Sequence, residues 1–365
     1  MSMIARAILS AVYARVLQEP QVRSVYYVCD KRDWATKDDG QNITRQIQAR
    51  GMVDARLATN IKGIVHNIVH FGSLPLTATG LKNPWSRYNQ LVSTVFHGDF
   101  GINEPAIERN LEIFLNNAHR FERVVTSCSI MTERLLRWGI QPSKLSQIPL
   151  GVDVAACEQA SQIDVTERRR RLGISDGEFC VGSWQKDGVG WCEGYEPKWI
   201  KGPDVLVEVL ARLKARGCMV RVLLTGPARG YVKRALEAHG IPYVHRIFED
   251  RDQLRAFMKI ADLCLVTSRE EGGPKAVLEA MALGVPLVST RVGLAPDVIE
   301  HRVTGLLTSI DDIDGLAEAA MEVSVSPGLA RELSSAARVA AKRYDWGCIA
   351  DRYLQEVYVP LLRPE

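Results

Sequence analysis

The stretch "LCLVTSREEGGPKAVLEAMALGVPLVST", residues 263–290, decides the fold. Its first six residues are mostly apolar and β-prone, and "PLVST" at its end is a second run of the same kind. Between them, Pro274 suits the first turn of a helix, and Gly284 suits its end after Leu283. Strand, helix and strand in this order predict a βαβ unit, in which both strands lie parallel in one sheet.

The same alternation of short β-rich runs and helical patterns fills the chain from residue 24 onward, in two sets. The first set predicts strands at residues 24–30, 54–59, 68–73, 92–98, 123–128 and 145–151. The second set predicts strands at residues 179–184, 220–226, 243–248, 263–268, 286–290 and 305–309. A chain of 365 residues is about twice a common domain size, so we expect two α/β domains.

A polar, strand-free segment at residues 152–174 separates the two sets and predicts a domain boundary near residue 155. We therefore expect a first domain over residues 1–154 and a second over residues 155–346. The apolar segment at the end of the chain, residues 347–365, is expected to cross back onto the first domain.

Composition narrows the classes of protein. A net charge of +3 over 89 Lys, Arg, Asp and Glu residues gives no reason to expect a nucleic-acid partner. The eight cysteines are scattered without a CxxC pair, which predicts reduced core thiols, no zinc and a cytoplasmic location. No run approaches the roughly 20 apolar residues that span a bilayer. Residues 3–20 form an apolar helical pattern, which either packs on its own domain or lies on a membrane surface through residues 3–17.

The loop after the strand at 263–268 is the first candidate site. Open parallel sheets bind ligands beyond the carboxyl ends of their strands, where helix starts face the gap. Here the amides of residues 273–276 are expected to bind an anion, and Gly272 and Gly273 would let a phosphate approach closely. Carboxylates at this place can accept hydrogen bonds from hydroxyl groups. Glu279 is therefore expected to bind a ribose and Glu271 a transferred sugar. Alternatively, Glu271 caps the helix and Glu279 is an exposed helix residue.

This stretch closely resembles the signature of the retaining nucleotide-sugar glycosyltransferases of family four, which share the GT-B architecture. The similarity is almost continuous over residues 261–307 and extends to "SQIPLGVD" (146–153), "KGPDVLVEVLARL" (201–213) and "YDWGCIADRY" (344–353). It is strong over residues 145–360 and thin before that. The resemblance implies two Rossmann-like parallel-sheet domains that face each other across a cleft.

The resemblance also implies site residues. Lys201 matches the family's phosphate-contacting lysine, and His97, in "TVFHGDFG" with Asp99, matches a histidine that touches the donor. Gly40 resembles the glycine of a phosphate- and acceptor-side loop, and Pro274 and Lys275 belong to the donor-binding helix start. An arginine that usually follows the first strand of the second domain is missing from the inserted "GSWQKDGVGWCEGYEPKWIKG" (182–202), where Lys186 is the nearest cation.

The activity that follows is transfer of a sugar from a nucleotide-diphosphate donor to an acceptor hydroxyl. The resemblance implies retention of configuration, with Glu271, His97 and Lys201 at the reacting centre. The donor is a co-substrate, so no cofactor is expected, and the acceptor is a glycan, a lipid-linked or a small molecule. Two alternatives stay open: a sugar-nucleotide epimerase or hydrolase of the same fold, and a silent binding protein.

No metal ion is expected at the site. Two D-x-D triplets, at residues 250–252 and 312–314, each precede a helical pattern and predict helix caps rather than metal ligands. His66 and His70 have the spacing of zinc ligands on a helix, but His70 lies in a predicted strand and no HExxH motif is present.

Overall fold

A computed structural model describes residues 24–31 and 35–362, which form two six-stranded sheets. The apolar N-terminal segment, residues 3–20, lies outside the described residues. Every strand pair within both sheets is parallel. The predicted fold class, a doubled α/β arrangement of parallel sheets, is therefore confirmed.

The first sheet has the order β2-β1-β3-β4-β5-β6. Its strands are β1 (Ser24–Val28), β2 (Asp54–Ala58), β3 (Ile68–Phe71), β4 (Gln90–Thr94), β5 (Phe121–Thr126) and β6 (Leu145–Gln147). The helices of this part are α1 (Ala35–Ala49), α2 (Leu74–Leu81), α3 (Pro105–Asn116) and α4 (Ser129–Arg137), with 3₁₀ turns at Pro84–Tyr88, Ala118–Arg120 and Pro142–Lys144.

The second sheet has the order β12-β11-β10-β7-β8-β9. Its strands are β7 (Phe179–Ser183), β8 (Val220–Thr225), β9 (Tyr243–Arg246), β10 (Leu263–Val266), β11 (Leu287–Thr290) and β12 (Leu306–Thr308). Its helices are α5 (Val154–Ala160), α6 (Val165–Arg171), α7 (Pro203–Ala215), α8 (Gly230–Ala238), α9 (Arg251–Met258), α10 (Lys275–Leu283), α11 (Ala295–Val298), α12 (Ile313–Val325) and α13 (Pro327–Ala341), with 3₁₀ turns at Trp199–Lys201 and Lys342–Tyr344.

All twelve predicted strands are present, because strands buried on both faces leave near-continuous apolar runs in the sequence. One of them is displaced. The strand predicted at residues 92–98 is β4, which ends at Thr94. Gly98 has a φ of 136° and its amide donates to Glu270 of the second sheet's domain, so the chain leaves the first sheet before that point.

Two crossing segments join the halves of the molecule and pair with each other. The amide of Val152 donates to the carbonyl of Tyr344 (2.9 Å), and the amide of Trp346 donates to the carbonyl of Val152 (3.3 Å). After this pairing, α14 (Trp346–Arg352), a π-helical turn (Tyr353–Tyr358) and α15 (Val359–Leu362) pack on the first sheet. The end of the chain thus closes the core of the first half.

Candidate functional site

Helix α10 begins where the loop after β10 reaches the gap between the two sheets. Pro274 precedes the helix with a φ of −64°, and Gly284 ends it with a φ of 63°, a left-handed conformation that costs glycine little. The helix start predicted from the sequence is therefore present. Seven of its nine residues are buried, so its packing fixes the loop that carries Glu271.

Glu271 of this loop forms an ion pair with Lys201, which lies in the 3₁₀ turn before α7. The Lys201 ammonium donates to Glu271 Oε1, and the Ser268 hydroxyl donates to the same oxygen at 3.2 Å. Burial opposes ionisation of Glu271, but the charge and hydrogen bond of Lys201 outweigh it and lower the pKa of the carboxyl. Glu271 is thus a carboxylate at neutral pH, held beside a cation.

The position of Lys201 depends on the glycine that follows it. Gly202 has a φ of 60° and starts α7 in the left-handed conformation. A Cβ atom on Gly202 would lie 2.0 Å from the carbonyl oxygen of Thr267, the residue after β10. This close approach brings Lys201 to the end of β10, where Glu271 lies.

His97 enters the same place from the first domain. It follows β4, and its pKa is lowered to about 4 by burial first and by the charge of Lys201 second, with the carboxylates of Glu271 and Glu270 opposing. The imidazole is therefore neutral at neutral pH. The three residues predicted at the reacting centre, Glu271, Lys201 and His97, are brought together from the two domains.

Glu270 and Arg134 form an interdomain contact that the sequence did not predict. Arg134 of α4 donates to Glu270 Oε1 (2.6 Å) and Oε2 (3.1 Å), and the amide of Gly98 donates to Glu270 Oε1 (3.0 Å). Asp99, expected to face the cleft, pairs with Arg134 Nε at 3.1 Å. These groups hold the two domains together beside His97.

Glu279 faces a separate cavity of about 480 Å³ between the two domains. Its walls include Asp38 of α1, Asp153 of the crossing segment and Arg251 and Arg255 of α9. Burial raises the pKa of Glu279, and the charge of Lys275 only partly opposes this. Glu279 lies on the cavity wall rather than in open solvent.

Lys275 is the first residue of α10, as predicted, but its side chain pairs with carboxylates of the first domain. Its ammonium lies 2.7 Å from Asp38 Oδ2 and 2.7 Å from Asp39 Oδ1, both on α1 of the first domain. Asp39 is buried, and a buried carboxylate requires a counter-charge, which explains why the lysine reaches across. In this arrangement Lys275 bridges the domains.

The start of α10 lies directly against the first domain. A Cβ atom on Gly272 would lie 2.0 Å from the carbonyl oxygen of Phe96, and one on Gly273 would lie 2.5 Å from Leu150 Cδ1. The sequence predicted an open groove here, but two glycines without side chains let the domains touch. Among the residues that the structure describes, the amides of Gly273 and Ala276 have no acceptor. Space for an anion at this helix start requires the domains to move apart.

Two further predictions concern Gly40 and Lys186. Gly40 lies inside α1 instead of in a loop, and a Cβ atom there would lie 2.5 Å from Tyr27 Cδ1. The prediction that Gly40 lies in a phosphate-side loop is wrong, because this glycine lies in a helix that packs on the first sheet.

Lys186 lies over the ring of Trp191, with its ammonium 4.2 Å from the ring centroid. Burial lowers the pKa of Lys186.

Sequence reasoning missed Lys198, at the end of the inserted loop. Burial lowers its pKa, the charge of Lys201 lowers it further, and Glu104 and Glu271 oppose this. The only signal in the sequence is the K-x-x-K spacing of "KWIK", which places Lys198 three residues before Lys201.

The D-x-D triplets cap helices, as predicted. Asp250 accepts from the amide of Asp252 at 2.8 Å, and Asp312 accepts from the amide of Gly315 at 2.9 Å. Within residues 24–31 and 35–362, no three His, Cys, Asp or Glu side chains are grouped as metal ligands would be.

The cysteines are unpaired, but the prediction that they are core thiols holds only in part, because Cys192 and Cys348 are exposed. In the part of the chain that the structure covers, every helix is too short or too polar to cross a bilayer.

Comparison with known proteins identifies what the chain is similar to. Residues 196–340, which include α10, Lys201 and Glu279, match the family described as glycosyl transferases group 1. The matched residues include the stretch 261–307, whose resemblance to glycosyltransferases the sequence analysis identified. The two-sheet fold is the GT-B fold of glycosyltransferases.

Several relatives and solved structures are similar to this chain. A D-inositol 3-phosphate glycosyltransferase of Saccharomonospora viridis is 27% identical over 64% of this chain and 54% of the relative. An N-acetyl-alpha-D-glucosaminyl L-malate synthase of Bacillus anthracis is 33% identical over 32% of this chain and 30% of the relative. This chain thus spans about half of the first relative and less of the second.

Among solved structures, Anabaena Alr3699/HepE in complex with UDP-glucose has a TM-score of 0.73 and 18% identity, covering 92% of this chain and 99% of that one. The sucrose-phosphate synthase of Thermosynechococcus elongatus has a TM-score of 0.73 and 18% identity, covering 93% of this chain and 99% of that one. At this identity the likeness concerns the fold.

Proposed function

We propose that this protein is a glycosyltransferase that moves a sugar from a nucleoside-diphosphate donor to an acceptor hydroxyl with retention of configuration. One observation carries the proposal: a carboxylate (Glu271), an ammonium (Lys201) and a neutral imidazole (His97) meet at the carboxyl ends of strands from two domains. The names of two similar proteins support it, since one is a D-inositol 3-phosphate glycosyltransferase and the other an N-acetyl-alpha-D-glucosaminyl L-malate synthase.

The roles proposed for the site residues follow from the charges that develop during the reaction. Breaking the bond between the anomeric carbon and the diphosphate leaves positive charge on the sugar and negative charge on the phosphate. Lys201 stabilises the departing diphosphate, and the Glu271 carboxylate accepts hydrogen bonds from sugar hydroxyls. The acceptor oxygen forms the new bond on the face that the diphosphate leaves, and its proton passes to a phosphate oxygen. No protein base, resident cofactor or metal ion is assigned a step.

The nucleoside is proposed to lie beside Glu279. The cavity of about 480 Å³ there is within the usual size of a small-molecule site, and Glu279 and Asp38 on its walls can accept hydrogen bonds from ribose hydroxyls. The acceptor, a glycan or a lipid-linked or small molecule, is assigned to the first domain, where His97 lies. The proposal includes a cytoplasmic location and a peripheral membrane contact through residues 3–17.

The proposal includes a change in the distance between the domains. The donor enters with the start of α10 withdrawn from Phe96, because that contact fills the space that a diphosphate requires. Closure over the bound donor would then exclude water that hydrolyses it. The paired segments at Val152 and Asp345 are the proposed hinge, since they join the domains.

The test separates binding from turnover. A thermal-shift screen with UDP-, GDP- and ADP-sugars first identifies the donor. We then expect Glu279→Ala to weaken nucleotide binding about tenfold to a hundredfold, since it removes hydrogen bonds to a charged acceptor. Glu271→Gln should leave that Kd nearly unchanged and lower kcat about a hundredfold. Glu318→Ala, an exposed residue of α12, is the control.

The outcomes discriminate between functions. Equal behaviour of Glu271→Gln, Glu279→Ala and Glu318→Ala would refute the assignment of the site. Conversion of the donor to an epimer or to free sugar without any acceptor would indicate the epimerase or hydrolase instead. Tight donor binding without turnover across an acceptor panel would indicate a silent binding protein.

A further inference from the structure

The inserted loop between β7 and the turn at Trp199–Lys201 has a defined path. Its two ends run side by side: the amide of Lys198 donates to the carbonyl of Asp187 (2.7 Å), and the amide of Val189 donates to the carbonyl of Glu196 (2.8 Å). This pairing brings Lys198 next to the segment that contains Lys186. The loop therefore forms a hairpin-like extension at the carboxyl end of β7.

A buried ion pair fixes this extension to the sheet. Arg229 Nε lies 3.0 Å from Asp187 Oδ1, and both side chains are 0% exposed. Arg229 also donates to the carbonyls of Ser183 (2.8 Å) and Thr225 (3.0 Å), the last residues of β7 and β8. Because the anchor joins the loop to the ends of two strands, the loop's return segment, with Lys198, has a fixed position.

Lys198 and Lys201 lie on one side of the 3₁₀ turn. Residues three apart in a 3₁₀ turn eclipse each other, and the amide of Lys201 donates to the carbonyl of Lys198 at 2.8 Å. Lys198 is half-buried. Its pKa is lowered by burial first and then by the nearby charge of Lys201, while the carboxylates of Glu104 and Glu271 oppose this and Lys186 adds to it. Two half-buried ammonium groups that influence each other in this way repel, and an anion between them reduces that repulsion.

We propose that Lys198 binds, together with Lys201, the phosphate of the nucleoside diphosphate that lies farther from the nucleoside. The inserted loop then supplies a second cation to the leaving group, and Glu271 keeps its place beside the sugar. Lys198 is a donor-binding residue that contacts the leaving group. This inference rests on the proposed function, because it presupposes a nucleoside-diphosphate donor.

The test compares nucleotides that differ by one phosphate. Calorimetry with UDP, GDP and ADP, and with UMP, GMP and AMP, is done on the parent protein, Lys198→Met, Lys198→Arg and the control Lys233→Met. Lys233 is in the same domain and pairs with Glu193 of the inserted loop, so its variant reports what loss of another lysine contact of this loop does. For the diphosphate that the parent binds best, we expect Lys198→Met to bind about tenfold to a hundredfold more weakly, as loss of a charged hydrogen bond predicts.

Lys198→Arg and Lys233→Met should bind that diphosphate within about threefold of the parent, because each keeps the phosphate contact. The monophosphate should bind equally to all four proteins, which also reports that each variant is folded. Equal diphosphate affinity in Lys198→Met and the parent would overturn the inference alone. A parallel loss of monophosphate and diphosphate affinity would overturn it too, since it indicates a structural role. A parent that binds no nucleotide would overturn the proposed function as well.

Discussion

His70 is the buried histidine of β3, and its environment keeps it neutral. Its ring nitrogens lie 2.6 Å from the Tyr358 hydroxyl and 2.7 Å from the Thr94 hydroxyl, and the residue is 0% exposed. Burial lowers the pKa of His70 to about 3. The sequence predicted that His70 belongs to a strand and not to a zinc site, and its position in β3 confirms the strand. The consequence is a dependence of stability on pH.

We expect the parent protein to lose stability on acidification through His70. Below a pH of about 6.5 the unfolded chain binds a proton at this histidine, and the folded chain does not until about pH 3. The free energy of unfolding therefore falls as the pH falls within this window. Between pH 6.5 and 5, urea denaturation should show a fall about 1.6 kcal/mol larger in the parent than in His70→Gln. The exposed His119→Gln should follow the parent, and identical pH profiles for all three proteins would contradict the prediction.

The sequence could predict individual site residues only where one element determines their position. Glu271 and Lys201 follow from strand and helix boundaries, because the carboxyl ends of parallel strands meet at one edge. Lys275 could not be placed in this way, since its partners Asp38 and Asp39 come from α1, more than 230 positions away in the chain. The position of Gly40 could not be predicted either, because it depends on Tyr27 of β1, which leaves no room for a side chain at residue 40.

At the level of elements, the βαβ spacing predicted every strand of both sheets, but it did not predict the path of the inserted loop. Apolar residues in the segment 184–198 follow neither the helical nor the strand spacing, so the conformation of this segment depends on tertiary contacts. The main contact is the buried pair of Asp187 and Arg229. Both residues are charged, so the sequence predicts that they lie on the surface. The path of the loop therefore depends on a contact between two residues that lie far apart in the sequence.

This buried pair predicts a non-additive double-mutant cycle. Asp187→Ala leaves the Arg229 charge buried without its counter-charge, and breaking a buried pair costs about 3–5 kcal/mol. Arg229→Met removes the same pair together with hydrogen bonds to the carbonyls of Ser183 and Thr225. We expect the double variant to lose less free energy of unfolding than the sum of the two single losses, by 1 kcal/mol or more, as about 0.5–3 kcal/mol is usual for residues in contact.

Chemical denaturation of the four proteins measures this coupling, and hydrogen exchange of residues 184–198 reports the loop itself. Exchange should be faster in Asp187→Ala than in the parent, while the amides of β11 keep their protection. Additive losses of free energy, or unchanged exchange in the loop, would show that the pair does not anchor it.

For the whole molecule, the sequence predicted two domains and a cleft but not the way in which the domains touch. Contacts between them come from residues with no common pattern, such as Asp297 of α11, which accepts from the amide (2.7 Å) and hydroxyl (2.5 Å) of Ser129 at the start of α4. A negative group at a helix start is favourable, so this contact also stabilises α4. Nothing in one segment of sequence indicates its partner in the other domain.

The contact of Glu270 with Arg134 should control how far the domains stay apart in solution. Glu270 is buried at 7% exposure and accepts two hydrogen bonds from Arg134 and one from the amide of Gly98. In Arg134→Met the Glu270 carboxylate keeps only the hydrogen bond from the amide of Gly98. A buried charge that loses its ionic partner costs about 3–5 kcal/mol. Separation of the domains returns Glu270 to water and relieves that cost. We therefore expect a larger radius of gyration in small-angle X-ray scattering for Arg134→Met than for the parent. Arg137→Met, an exposed arginine of the same helix, should match the parent, and an unchanged radius in Arg134→Met would show that other contacts hold the domains.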